Sequence, residues 1–520
     1  MARPDITFIK QQGQSGRTIP GQDYVSAFLF YTGTLPSGFN SSTRIKQFLS
    51  LSDAEAAGIL GDYSDATAAT GTYLITAAGA TGDNIIITVN DINATSSQQV
   101  TTICNYTKVT GDSTIALLGA SIATAINAGT GTHGYSASFL TATLTITAPK
   151  KLGKYLNTGS PIVVTLSAGS TIAGTLTQFS GGVASLQAVW HYHIAEYFRM
   201  QNGSNGVDGL FVGFFAVPSP YTFSEITTMQ SFAQGAIRQI AIYKDGAAYS
   251  SADLSAIDTE IKTNNDARHK PLSALYASDL SAVTDISTIT SLTGLTANKA
   301  SSIIGQDGAY LGNYLYKTSG KSITTLGAAL GALSLSAVSE DFGQPVDKFN
   351  ISAGGGLECD VPAFANGKLL SDSSVSDALL DSLDAKRHIF LQKYVGTSGT
   401  YFNDNHAAIA TSSDYAYIND NRVIDKATRG IYASMLPALK GRLLLNSDGT
   451  LATTTIAYLQ NLALAPLYQM NRDGDLSDVS TSDVYINPAQ NVQSTSVVVV
   501  NVSLNEDGIA RQIQIPIGFK

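Results

Sequence analysis

The chain has 520 residues, room for about three domains at roughly 150 residues each. Only 14% are charged, against about 25% in an ordinary soluble protein, and Ser, Thr, Ala and Gly make up the difference. That surface suits a protein packed against copies of itself, or one with extracellular or virion exposure. A net charge of −9 with a pI near 5.1 excludes a general nucleic-acid footprint, which would be basic.

Residues 1–20 read as an arm. Ile6, Phe8 and Ile9 form a short extended piece, and the polar, glycine-rich stretch Gln11–Gly21 is too poor in apolar side chains to fold alone. Tyr24–Tyr31 is an apolar strand. Ile45–Ala57 looks helical, with Ser52-Asp53-Ala54-Glu55 as its start.

The character changes over 68–183. Asp83, Asp91, Asp112, Lys108, Lys150, Lys151 and Lys154 are its only charges. Strands are predicted at Tyr73–Thr76, Asn84–Val89, Tyr135–Ser138, Thr143–Ala148 and Ile162–Leu166, with one helix near Ser113–Ala128. This pattern reads as a small β-rich domain inserted into another fold, with flexible ends at Tyr63–Thr70 and Ser180–Val183.

The interrupted fold resumes with a helix whose Leu186, Val189, Trp190, His193, Ile194 and Tyr197 share one face behind Ser185 as N-cap. Strand and helix then alternate: Leu210–Val217, Phe223–Gln234, Ile237–Tyr243, Asp253–Asn265 and Leu272–Tyr276. Such alternation implies an α/β layer with a mostly parallel sheet. The stretch 280–395 is mixed, with a helix near Val375–Leu383 and a strand near His388–Tyr394. Asn421–Leu439 reads as one long helix with Ile424, Ile431, Met435 and Ala438 on one face. A second helix begins at Thr453 and ends near Ala465, before Pro466. Tyr401-Phe402-Asn403-Asp404-Asn405 is echoed by Tyr417-Ile418-Asn419-Asp420-Asn421, a single pair and no repeat architecture.

At the end, Val497–Leu504 runs into Asn505-Glu506-Asp507-Gly508, and Ile509–Ile517 follows with apolar and polar residues alternating. The pattern predicts a β-hairpin. A lone hairpin is barely stable and leaves a pairing edge free, so this end is expected to pair with another copy of the chain. Periodicity leaves open which of the two strands makes that pairing.

The fold class is therefore α/β, mixed α+β overall and multidomain: an arm at 1–20, an α/β core of 21–67 and 184–395, the inserted β-rich domain 68–183, and a C-terminal helical domain 396–520 with a terminal hairpin arm.

Motifs for chemistry are mostly missing. Neither a Gly-x-Ser-x-Gly elbow nor a His-Glu-x-x-His pair occurs. His191 and His193 are two apart on a helix and point to different faces. Gly129–Gly134 matches Gly-x-Gly-x-x-Gly but follows a helix and precedes a strand, the reverse of a dinucleotide site. Ser319-Gly320-Lys321-Ser322 resembles the end of a phosphate loop whose first glycine would fall at Leu315. Asn471, Asp473, Asp475 and Asp478 suggest a calcium loop, with Leu476 and Ser482 where Gly and Glu are needed. Cys104 and Cys359 offer neither a disulfide framework nor zinc spacing. The start lacks a signal-peptide h-region, and no stretch approaches the ~18 apolar residues of a membrane span. No cofactor, no metal and no enzyme activity are expected. Arg422, Lys426 and Arg429, spaced four and three along the long helix, form a basic stripe, with Lys440 and Arg442 near its end. The stripe is a solvated face or a docking stripe for an acidic partner.

Asn421-Arg422-Val423-Ile424-Asp425-Lys426-Ala427-Thr428-Arg429-Gly430-Ile431-Tyr432, then Leu436-Pro437-Ala438-Leu439-Lys440-Gly441, resembles contractile tail sheath proteins of bacteriophages. So does Glu506-Asp507-Gly508-Ile509-Ala510-Arg511-Gln512-Ile513. In layout the resemblance spans 1–67 and 184–520; its specific motifs lie in 417–520. The insertion resembles small β modules of several virion proteins. The resemblance implies a virion structural protein, assembled in the host bacterial cytoplasm, that polymerises helically with itself around a tail tube. It further implies contacts with baseplate and tail terminator proteins, no nucleic-acid or membrane partner, and contraction that drives the tube through the host envelope.

On that footing residues 1–20 and 495–520 are lattice hinges. Ile6, Phe8, Ile9, Val498, Val500, Val502, Ile513 and Ile515 become the inter-subunit strand-pairing residues, and Arg422, Lys426 and Arg429 a tube-facing stripe. Two rivals stand beside this reading. One is another virion part (tail tube, baseplate or adhesin component), which the α/β alternation and the long C-terminal helices disfavour. The other is a self-associating α/β enzyme, which has no recognisable catalytic constellation.

Overall fold

The computed structural model describes residues 23–201, 209–352 and 358–517. Ile6, Phe8 and Ile9 lie outside the described residues. The fold is mixed α/β, built around a seven-stranded sheet. Its strand order is His388–Ile389, Ala300–Ile303, Ser273–Asp279, Gln239–Ala248, Ser26–Tyr31, Leu210–Phe215, Ile45–Phe48. All neighbours run parallel except the last pair.

The central strand shows why this sheet is buried on both faces. Ser-Ala-Phe-Leu-Phe-Tyr is buried at every position, and successive side chains alternate between faces. Phe28 and Phe30 join Val212, Phe214, Ala241 and Tyr243 on one side, under the helices Leu186–Gln201 and Leu326–Leu335. Ala27, Leu29 and Tyr31 join Phe211, Ile240 and Ile242 on the other, under Glu225–Phe232 and Ser251–Asn264. Leu326–Leu335 escapes the periodicity because it is apolar all round. Its glycines bring it against Leu186–Gln201: a Cβ on Gly327 would stand 2.2 Å from the His193 carbonyl oxygen, and one on Gly331 2.8 Å from that of Tyr197. Glycine there permits backbone-to-backbone packing that any larger residue would prevent.

Residues 69–179 enclose a core of their own. A four-stranded antiparallel sheet and a three-stranded one pack with the helix Ile115–Ala128. Two of its strands, Gln98–Thr107 and Ile172–Ser180, are rich in Thr and other small or polar residues and carry too weak an apolar alternation to show in the sequence. Three of the charges are internal. Asp91 accepts from Tyr135 and Thr101, Asp112 from Tyr106 and Ser121, and Lys108 donates to the Gly79 carbonyl. The two crossings into the sheet layer are tied together. Thr67 bridges Val183, and Asp65 accepts from the Ser185 hydroxyl and from the Leu186 and Gln187 amides while Ser185 caps its helix at the Ala188 amide.

Three expectations are corrected. Ile45–Phe48 is the antiparallel edge strand of the main sheet, and the helix is only Leu51–Ala56, capped by Ser50 at the Asp53 amide. Partners on Leu210–Gly213 override the helical spacing there. The second C-terminal helix does not stop at Pro466 but runs Thr453–Asp473. Leu459, Ala463, Leu464, Leu467 and Met470 are buried along it, enough apolar contact to carry the chain past one missing amide. Gly430 on the helix Ile418–Met435 makes room, since a Cβ there would lie 2.8 Å from Pro466 Cβ. The terminal hairpin is not formed. Asn501–Val502 pairs antiparallel with Val484–Tyr485, a partner distant in sequence. Among the described residues no helix is long and apolar enough to cross a membrane.

Candidate assembly site

The C-terminal segment divides at about residue 507. From 497 to 504 the even-numbered side chains turn inward and the odd-numbered ones outward. Val498 and Val500 pack with Leu451, Leu459 and Ile486, and Val500, Val502 and Leu504 with Leu464, Leu467 and Leu476. Backbone bonds join Ser503 to Asp483 and Ser477 to Asn505, and the Ser477 hydroxyl reaches Asp507 at 2.6 Å. Val498, Val500 and Val502 are therefore used inside the subunit. Ile513, Ile515 and Ile517 are 76%, 72% and 91% exposed. Among the described residues, 508–517 has only Arg511 as a hydrogen-bonded anchor.

Arg511 is held by a built pocket. Its Nε donates to both Asp404 oxygens at 3.2 and 3.0 Å, and a terminal nitrogen donates to Asn405 Oδ1 at 3.2 Å. Asp341 stands 3.8 Å away, and the guanidinium carbon lies 3.2 Å from the Tyr417 ring centroid. Arg387, buried and bonded to the Ala416 carbonyl, approaches the same ring at 4.5 Å. A planar, always-charged guanidinium suits this pocket as an ammonium would not. Burial and the adjacent Asp404 push the Asp341 carboxyl well above its ordinary range.

The pocket is made of the echoed pentads. Asp404 and Asn405 come from the first and Tyr417 from the second, and the two lie together. Ile418 N–H donates to the Asn405 carbonyl, and the Asn405 amide donates to Asn419 Oδ1 at 2.8 Å. The echo is the sequence signal for this site, but a single repeated pentad has no periodicity that would mark its residues as a pocket.

The basic stripe is corrected. Arg422 is 4% exposed and donates to Ser336 Oγ and to the Ser336 and Ala337 carbonyls. Lys426 sits 2.9 Å from Asp23 and 2.6 Å from Asp475, and Arg429 2.6 Å from Asp23. Burial alone would raise the Asp23 carboxyl, but Lys426, Arg429 and Arg422 outweigh it and hold it below the usual range. The same helix sends Asp425 to Lys299 at 2.5 Å. The stripe thus clamps the helix onto the chain entering the first strand, rather than standing as a solvated face. Lys440 and Arg442, past the helix, are exposed beside exposed Leu436, Leu439 and Leu444.

The other motifs resolve simply. His191 meets Glu55 on the surface at 2.8 Å. His193 is fully buried among Phe28, Phe30 and Tyr243, and desolvation pushes it down to about 3. Residues 319–322 end a helix, and Lys321 pairs with Asp279. Asp475, from the supposed calcium loop, is taken by Lys426. Asp384, Asp404 and His406 bring possible metal ligands within 4.8 Å of one another. There His406 Nε2 lies at hydrogen-bond distance, 2.8 Å, from Asp384, while Arg511 supplies the positive charge at Asp404.

Family models match nearly the whole chain: one described as the DUF2586 N-terminal domain covers 3–406, and one described as the DUF2586 C-terminal domain covers 414–520. The chain belongs to the DUF2586 family. No curated protein matches this DUF2586 chain by sequence. Among solved structures it is similar to a chain of the anti-feeding prophage baseplate (TM-score 0.41, 11% identity, 64% of this chain and 80% of that one). It is also similar to the contracted helical sheath of the same prophage (0.41, 12%, 63% and 81%). A sheath tail protein of Listeria innocua aligns over 93% of this chain and 92% of its own, with TM-score 0.40 and 10% identity. Likeness at that level carries no functional weight for this DUF2586 chain.

Proposed function

We propose that the chain is the structural subunit of a contractile phage tail sheath, polymerising helically around a tail tube and contracting to drive the tube through the host envelope. The observation that carries this is the 508–517 segment. It is an extended, alternating stretch that leaves the folded body, with Ile513, Ile515 and Ile517 exposed and its backbone unpaired among the described residues. Such a segment completes a sheet by strand addition, and unlike patches that pair this way propagate into open helical arrays. The motifs of 417–520 support the same reading. In it, Ile513 and Ile515 make the inter-subunit pairing, Ile6, Phe8 and Ile9 play the matching part at the other end, and the body moves nearly as a unit on these hinges.

Lys440 and Arg442, set among exposed leucines, are the cations best placed to meet an acidic tube surface. Baseplate and tail terminator proteins cap the array, and the role is mechanical rather than catalytic, in a virion tail assembled in the host cytoplasm. Negative-stain microscopy of the purified chain tests this. Long hollow tubes are expected. Narrow tubes would favour a tail-tube protein, and discrete oligomers would overturn the sheath reading.

A further inference from the structure

Arg511 is a single anchor on an otherwise free tail. Three residues, Gly508 to Ala510, separate it from Asp507, whose carboxylate accepts from the Ser477 hydroxyl, a reach of about 10 Å. Six described residues beyond it extend about 20 Å into solvent with their apolar side chains bare. That tail cannot swing away to a neighbour's sheet while Arg511 is seated on its own Asp404. Nor can Arg511 simply leave. Asp404 and Asp341 flank it at 3.0 and 3.8 Å, and a vacated pocket would hold these two carboxyls facing one another in a partly dry space. A release that costs this much is offset when an identical guanidinium arrives, which is the condition for exchanging a terminal element between copies.

We propose that the pocket of Asp341, Asp404, Asn405 and Tyr417 is a guanidinium socket, filled by the subunit's own Arg511 before assembly and by Arg511 of a neighbouring copy within the assembly. This rests on the assembly reading above and names the partner of that site. The socket keeps the free subunit closed, and the swap conserves every contact. Exchange therefore proceeds without a net loss of pairing and leaves 512–517 lying on the neighbour.

The first arm of the test keeps Arg511 and the socket intact. Gln512→Cys is labelled with a benzophenone maleimide; Cys104 and Cys359 are buried and stay unlabelled. Irradiated free subunit is expected to give internally linked monomer, and assembled protein a ladder of covalent dimers and higher multimers. Asp404→Asn in the same background should cut the ladder about fivefold, since it removes the charged partner of the fork. Assembled material that yields only internally linked monomer, or a ladder unchanged by Asp404→Asn, overturns the socket. A ladder on discrete oligomers would sink the sheath reading and keep the socket; tubes with monomer alone would do the reverse.

Discussion

Arg511 lays its guanidinium over the ring of Tyr417, with Cζ 3.2 Å from the ring centroid, while its Nε bonds Asp404 at 3.0 Å. A cation over a partly covered ring contributes about 1 kcal/mol. Tyr417→Leu should therefore loosen the tail several-fold without unfolding the body. Tryptic cleavage after Arg511 would quicken in the variant, with hydrogen-exchange protection in the central strand Ser26–Tyr31 unchanged.

The two halves of the C-terminal segment should behave differently on truncation. Removing 508–520 deletes one anchor and, among the described residues, mostly exposed side chains, so the melting temperature should stay within a few degrees while assembly is lost. Removing 495–520 strips Val498, Val500, Val502 and Leu504 from two apolar clusters and should cost about 3 kcal/mol or more. Calorimetry and microscopy on the two truncations check both statements, and equal melting temperatures would contradict the packing.

Asp23 ties the start of the first strand to Lys426 and Arg429. Asp23→Asn should destabilise the chain by about 2 kcal/mol at neutral pH. Its carboxyl titrates below the ordinary range in the folded state, so its contribution is complete above the unfolded value and disappears as pH falls through the folded one. Urea unfolding of wild type and variant should converge in acid; a gap independent of pH would remove the ion-pair explanation.

Glu358 works in the opposite sense. It accepts from the Leu311 and Gly312 amides, and burial with Asp307 and Glu196 nearby pushes it up to about 8 from an ordinary 4.5. The folded state then binds a proton that the unfolded state has lost. This contribution is full below 4.5 and fades as pH rises toward 8. Glu358→Gln should flatten that decline, a difference on the order of a few kcal/mol, read from denaturation midpoints across the window.

Charge reversal separates the two basic groups. Lys440→Glu with Arg442→Glu should leave the subunit folded and impair its binding to tail tubes by tenfold or so, as loss of steering charge does. Lys426→Glu should instead unfold or weaken the subunit itself, because it places a third carboxylate beside Asp23 and Asp475. Co-sedimentation with tubes and thermal melts distinguish the cases.

Local pattern alone determined a good deal. The central strand, the αβ alternation from 185 to 280, the low-charge β-rich stretch and the helix behind Ser185 are all set by side-chain period and capping, which act over a few residues. Spacing also placed Arg422, Lys426 and Arg429 on one face of a helix. Which way that face points was decided by Asp23, Ser336 and Asp475, residues far off in the chain. The same holds for Val497–Leu504, whose β-branched run found its partner in Val484–Tyr485 rather than across Gly508. Pro466 stayed inside its helix because Gly430 left space for it. The arginine socket needed two pentads and a tail to converge. Period and propensity fix what a segment can be; which surface it meets depends on long-range packing and charge pairing, and these exist only once the chain has folded.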